Sequence, residues 1–154
     1  MSAVTYFDTL ATPLGELLFT SDGDALTGLS VEDTPAEGAV RSKAKLKEAV
    51  AQMRAYLAGE LKSFTMPVEQ PGTPFQKSVW EELARIPYGE TISYRQLAER
   101  VRKPLACRAV GSANGRNRLI IAVPCHRVIA ADGTLGGYGG GLWRKQWLLD
   151  HEGK

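Results

Sequence analysis

SYRQLAERVRKPLACRAVGSAN, residues 93–114, is the stretch on which the reading of the fold turns. Ser93 has the chemistry of an N-cap, so a short helix is expected over 94–101. A break follows at Arg102-Lys103-Pro104, and a second helix is expected to start at Pro104 or Leu105 and run through Asn114. A short helix, a tight break and a second helix form a helix-turn-helix pattern, though two ordinary core helices read the same way. From Arg95 to Arg118 the chain is also strongly basic: Arg95, Arg100, Arg102, Lys103, Arg108, Arg116 and Arg118 stand against Glu99 alone. A solvated helix face intersperses both signs, so a polyanion such as a phosphate backbone becomes a candidate partner.

The second of these helices offers almost nothing that can read a base edge. Ala106, Cys107, Ala109, Gly111, Ser112 and Ala113 are small, and Arg108 is the long polar side chain at its centre. Small residues let a helix backbone approach a narrow surface, which suits a minor groove; they also suit packing against another helix. The segment by itself leaves both open.

Working outward, residues 1–73 hold 6 basic against 10 acidic residues and residues 74–154 hold 13 against 7, so the overall charge of +2 hides a basic second half. In the first half Val4–Leu10, Glu16–Thr20 and Ala25–Val31 mix apolar and polar residues between turn-forming Thr12-Pro13-Leu14-Gly15 and Asp22-Gly23-Asp24. A small antiparallel sheet is expected there. Leu46, Ala49, Val50, Met53 and Leu57 recur at helical spacing within Arg41–Gly59, with Gly59 as the stop, so one amphipathic helix should cover the sheet. These readings divide the chain into a sheet-and-helix domain (1–65), a Pro- and Gly-containing linker (66–73) and a second domain (74–154). The second opens on Thr73 as N-cap and Pro74 at the first helical position, with a helix to about Ile86.

With 154 residues, 44% of them hydrophobic, the chain can bury a core. No run approaches the roughly 20 apolar residues of a membrane span, and MSAVTYFDTLAT lacks a signal-peptide pattern, so a cytoplasmic location without membrane association is expected. Two cysteines, Cys107 and Cys125, are too few for a disulfide scaffold and should both be thiols.

The chemistry concentrates in IIAVPCHRVI, residues 120–129. Most lone cysteines are small core hydrophobes. Cys125, however, follows a turn-shaping proline and precedes His126 and Arg127, and a neighbouring base or cation favours the nucleophilic thiolate. Zinc is not expected, because Cys107, Cys125, His126 and His151 show no ligand-pair spacing. Gly136-Gly137-Tyr138-Gly139-Gly140-Gly141 fits no nucleotide-binding spacing and reads as a lid or a flexible hairpin, with Tyr138 as a stacking face. The last helix, Leu142 to Glu152, should pack through Trp143, Trp147 and Leu148.

Taken together, PCHRV (124–128), RAVG (108–111), YGETISY (88–94) and GYGGGL (137–142) resemble the O6-alkylguanine-DNA alkyltransferases. The match runs from Phe75 to Gly153; the first half is similar only in length and element order. The resemblance implies an α+β architecture: a small ribonuclease-H-like domain, then a helical domain whose winged-helix-like helix-turn-helix enters the DNA minor groove. It implies direct-reversal repair, in which Cys125 irreversibly takes the alkyl group from O6-alkylguanine, with O4-alkylthymine left open, after the nucleotide is flipped out. By the same resemblance His126 is the base, linked through water to Glu152, Tyr94 donates a proton, and Asn117 ties the recognition helix to the active-site turn. DNA contact would fall to Arg108, Tyr94, Ala106, Ala109, Gly111, Ser112, Asn114 and Arg127. Val128, Tyr138, Gly139 and Gly140 would form the pocket. No cofactor, no metal, sequence-independent binding to double-stranded DNA and a monomer are the remaining implications.

Two departures stand out: Arg118 follows Asn117 where proline is common, and Cys107 occupies a groove-facing position where Ala or Val is usual. Two other classes of function fit some of the same residues. A lesion-binding module would explain the basic stretch but not Cys125 within PCHRV. A cysteine hydrolase would explain Cys125 and His126, but its histidine ordinarily comes from a distant segment.

Overall fold

The computed structural model describes residues 4–153. Met1–Ala3, part of the expected leaderless N-terminus, and Lys154, the last residue of the expected second domain, lie outside the described residues. Contacts divide the chain into two compact units that meet between Gln70 and Pro71.

In the first unit β1 (Tyr6–Thr12), β2 (Gly15–Ser21) and β3 (Leu26–Val31) form an antiparallel meander. The Pro13-Leu14 turn joins β1 to β2 with Gly15 at φ +112, a conformation glycine adopts without a Cβ penalty. Asp22 Oδ1 accepts from the Asp24 and Ala25 amides and closes the next turn. α1 (Lys43–Leu57) begins later than the apolar spacing predicts, because Val40–Arg41 is a strand, β4, parallel to β1. Ser42 then caps the helix through the Lys45 amide. α1 ends in paired backbone bonds, Glu60 to Ala55 and Gly59 to Tyr56, with Gly59 at φ +79. It buries Leu46, Met53 and Tyr56, at about 1.5–3 kcal/mol each.

Residues 66–70, expected as linker, belong to this unit. The Leu26 amide bonds to the Pro67 carbonyl and the Glu69 amide to the Leu26 carbonyl, both at 2.9 Å, which adds Val68 to the sheet edge.

The second unit starts with α2 (Pro74–Ala84), where Thr73 and Gln76 form a reciprocal capping box. α2 stops short of Ile86 because the Arg85 and Ile86 amides tighten onto the Glu82 and Leu83 carbonyls. β5 (Ile92–Ser93) leads directly into α3 (Tyr94–Arg100), which carries a second capping box, Ser93 with Gln96. α3 ends as α1 does, but with a non-glycine residue, Arg102, at φ +61; Lys103 bonds back to Ala98 and Arg102 to Glu99. This turn and the Ala106–Lys103 bond carry the chain past Pro104 and Leu105, so α4 covers Cys107–Gly115 and not the longer span expected. Pro124 precedes a 3-10 turn (Cys125–Arg127), followed by β6 (Val128–Ile129), parallel to β5, and α5 (Leu142–His151). Val79, Leu83, Leu97, Val110, Leu119, Val128 and Leu148 form the core between them. Trp143, expected to pack, is 54% exposed.

Candidate active site and nucleic-acid interface

The short β5–β6 ladder places the Cys125 turn beside the start of α3, which brings Tyr94 to the same site. Cys125 is buried at the edge of a cavity of about 220 Å³. Tyr94, Gly111, Asn114, Asn117 and Ile120 line it on one side and Gly137, Tyr138 and Gly139 on the other. Of the expected pocket residues, Tyr138 and Gly139 stand on the wall while Val128 and Gly140 do not. The Val128 carbonyl already accepts Lys145 Nζ at 2.7 Å, and the Cys125 carbonyl accepts the Val128 amide. Each retains one lone pair for another donor.

Burial pushes the Cys125 thiol up, against an Asn117 hydrogen bond and the nearby Lys145 charge, which pull it down. This corrects the expectation of a resting thiolate: desolvation outweighs the neighbouring cations. The base, His126, follows Cys125 in the same buried turn. His126 Nε2 bonds directly to Glu152 Oε2 at 2.8 Å, so no water intervenes between this pair. Arg127 grips the same carboxylate twice, Nε on Oε1 at 2.8 Å and Nη2 on Oε2 at 2.9 Å, and Nη1 donates to the Ile86 carbonyl at 2.7 Å. Arg127 keeps Glu152 ionised, the carboxylate accepts from Nε2, and Nδ1 is left as the bare acceptor. Burial also holds His126 below its usual value, which favours the neutral imidazole. Arg127 is therefore not a DNA contact, for it is 6% exposed and fully engaged in this chain.

Asn117 bonds through Nδ2 to the Val123 carbonyl at 2.8 Å and accepts the Leu119 amide, which fixes the loop between α4 and Cys125 despite Arg118 in place of proline. Within this loop Ile121 sits at φ +70 with the Ala122 amide on the Ile120 carbonyl, a strained turn for a β-branched residue. Tyr94 is half-buried and accepts the Gly137 amide, and burial raises its phenol. A Cβ on Gly136 would stand 2.9 Å from Tyr94 Oη, which is why glycine is needed there. Three buried side-chain atoms among the described residues lack a hydrogen-bond partner: Asn114 Oδ1, His126 Nδ1 and Tyr138 Oη. Asn114, expected to touch DNA, is instead a buried pocket residue with an unused acceptor.

On the outer side, Cys107, Arg108, Ala109 and Ser112 of α4 are exposed, while Ala106 and Gly111 are partly covered. All seven cations from Arg95 to Arg118 are exposed. Leu105, just before α4, is fully exposed. Small residues thus lie outward on α4, whose inner side is anchored by Trp80 Nε1 on the Ala113 carbonyl.

Lys145 escapes sequence reasoning. It is fully buried, bonds to the carbonyls of Val128, Leu135 and Gly137, and burial pushes it down to about 8. The signal was a lysine three residues before the buried pair Leu148-Leu149, on the face where α5 should be apolar.

Models of two domains match the chain: the ribonuclease-like domain of 6-O-methylguanine DNA methyltransferase over residues 5–70 and its DNA-binding domain over residues 74–154. The likeness therefore extends into the first half. A methylated-DNA–protein-cysteine methyltransferase of Mycobacterium leprae is 49% identical over 91% of this chain and 87% of its own length. The constitutive one of Bacillus subtilis is 47% identical over 97% and 96%. Among solved structures, Mycobacterium tuberculosis OGT in complex with DNA superposes with a TM-score of 0.90 at 45% identity, covering 96% of this chain and 92% of that one. The chain belongs to the 6-O-methylguanine DNA methyltransferase family.

Proposed function

We propose that this protein repairs alkylated DNA by direct reversal, transferring the alkyl group of O6-alkylguanine to Cys125 Sγ. The observation that carries the reading is a buried thiol at a guanine-sized cavity, backed by a neutral histidine whose Nδ1 is unused. In the transfer the Sγ–carbon bond forms as the O6–carbon bond breaks, and the bonding pair leaves with the guanine. The thiol proton goes to His126 Nδ1, directly or through a bridging water, and Glu152 with Arg127 stabilises the resulting imidazolium. Tyr94 supplies a proton to the departing base, which improves the leaving group, and recovers it from solvent. The thioether product resists hydrolysis, so each molecule reacts once and needs no cofactor.

A guanine within a duplex cannot reach a buried thiol, so the nucleotide must rotate out at a cost of a few kcal/mol. Arg108, exposed on α4, fills the space left behind, and the small outward residues of α4 allow approach to the minor groove independently of sequence. The protein acts on DNA as a monomer in the cytoplasm. Stoichiometry tests the reading: incubation with excess O6-methylguanine duplex should transfer one methyl group per protein molecule and then stop. Continued turnover, or no transfer at all, contradicts it.

A further inference from the structure

Five of the six residues from Gly136 to Gly141 are glycines, whose backbones lose the most freedom on being fixed, while Tyr138 must be held in the pocket wall. The first turn of α5 supplies two consecutive cations for this. Lys145 Nζ holds the carbonyls of Leu135 and Gly137 before Tyr138. Arg144 Nη1 holds the Gly140 carbonyl after it, at 2.8 Å. Between them the Gly141 amide closes a turn on the Tyr138 carbonyl at 3.0 Å.

The two clamps differ in setting. Lys145 is fully buried, whereas Arg144 is half-buried and its guanidinium lies 4.5 Å from the ring centroid of exposed Trp143. A Cβ on Gly140 would stand 2.9 Å from the Tyr138 ring and 3.6 Å from Arg144 Cδ; one on Gly141 would stand 3.6 Å from the Trp143 ring. Tyr138, Arg144 and Trp143 are thus packed in succession against bare backbone.

We propose that Arg144, stacked on Trp143 and bonded to the Gly140 carbonyl, is a positioning residue that latches the Tyr138 lid and thereby limits the size of the O6 substituent the pocket accepts. Arg144 touches no reacting atom. With the latch in place the phenol ring is held in the wall of the cavity that Cys125 also lines, which leaves room for a methyl group and crowds a larger one. Without it the glycine segment moves outward: a small substituent loses its wall and a bulky one gains room. A lysine at 144 keeps the charge but lacks the planar face that stacks on Trp143.

The inference rests on the pocket being the alkylguanine site, and the test separates the two. Single-turnover transfer is measured for the wild type, Arg144→Ala, Arg144→Lys and Trp143→Ala, with O6-methylguanine and O6-benzylguanine each placed in the same duplex, so that any change in DNA affinity cancels in the ratio of rate constants. Arg144→Ala should raise the benzyl-to-methyl ratio about five- to tenfold, with Arg144→Lys and Trp143→Ala in between. Melting temperatures should stay within about 3 °C of wild type, as expected for partly exposed sites. An unchanged ratio in Arg144→Ala overturns the latch, whether rates fall equally on both substrates or not at all. Failure of the wild type to transfer either group would overturn the reading of the pocket instead.

Discussion

On the α3–α4 face Arg95, Arg100, Arg102, Lys103, Arg108, Arg116 and Arg118 all lie in solvent, whereas Arg127, Lys145, His126 and Glu152 are closed off behind the Cys125 turn. The charges of the first set are screened by water and salt, and the fold contribution of an exposed pair such as Arg95 with Glu99, at 3.7 Å, is small. An exposed set of this kind is the type that can engage a polyanion by releasing its counterions. The second set has protein partners only. Its charges cost desolvation, and each is held by contacts that link elements: Arg127 joins the end of α2 to the end of α5 through Ile86 and Glu152. The same residue type thus serves recognition in one region and architecture in the other, and burial decides which.

Substitution should separate the two regions. The largest effect is on chemistry: Cys125→Ala should abolish alkyl transfer and leave duplex affinity within about twofold, since the thiol is buried and adds almost nothing to the exposed surface. Loss of binding in this variant would merge the regions. Next, Arg127→Ala should destabilise the protein by about 3–5 kcal/mol in urea unfolding, because it leaves Glu152 buried without its strongest partner. Arg108→Ala should cost less than about 0.5 kcal/mol in the same assay. Equal costs would break the comparison.

How much of this the sequence foretold depended on whether the signal was local. Thr73 with Pro74, Ser93 before α3 and Gly59 after α1 declare helix ends by their own chemistry, and each is an end in the structure. PCHRV marks its own site for the same reason. β4 was hidden because two residues, Val40 and Arg41, pair with a strand over thirty positions away, and no periodicity survives in so short a segment. The expectation, carried by the resemblance, that Arg127 touches DNA missed a partner of a similar kind. Charge can be counted along a chain, but the carboxylate that neutralises Arg127 lies 25 residues further on. Lys145 was invisible because hydropathy patterns place lysine outside, and two of the three carbonyls that cradle it, those of Leu135 and Gly137, come from a segment with no regular structure.

Smaller effects sharpen the contrast. Methylation of Cys125 adds a group where the buried thiol is bonded to Asn117, and overpacking of that size costs about 1–3 kcal/mol. The methylated protein should melt lower than the unreacted one in the absence of DNA; an equal or higher midpoint would mean that the cavity absorbs the methyl group without strain. On the exposed side, Arg108→Ala should slow repair in a duplex about tenfold more than reaction with free O6-benzylguanine, which needs no flipping. It should also reduce the slope of log affinity against log salt by about one phosphate contact.

The smallest effect is a pH dependence. Burial lowers His126 in the folded state, so the unfolded chain binds the proton more readily; its contribution to stability is complete above the ordinary histidine value of about 6.5 and is lost as pH falls through the lower folded value. Replacing His126 by Gln should flatten the stability profile in that window, and an unchanged profile would show that His126 binds its proton equally well in the folded and unfolded chains.

The central claim is that burial, not thiol chemistry alone, selects the acceptor: Cys125 lies at the pocket before a neutral base, and Cys107 stands exposed beside Arg108. Intact-mass and peptide analysis after incubation with O6-methylguanine duplex tests this most directly. One methyl-for-hydrogen exchange per molecule, confined to the peptide holding Cys125, is the predicted result; label on Cys107, or a protein that turns over without retaining the methyl group, would contradict it.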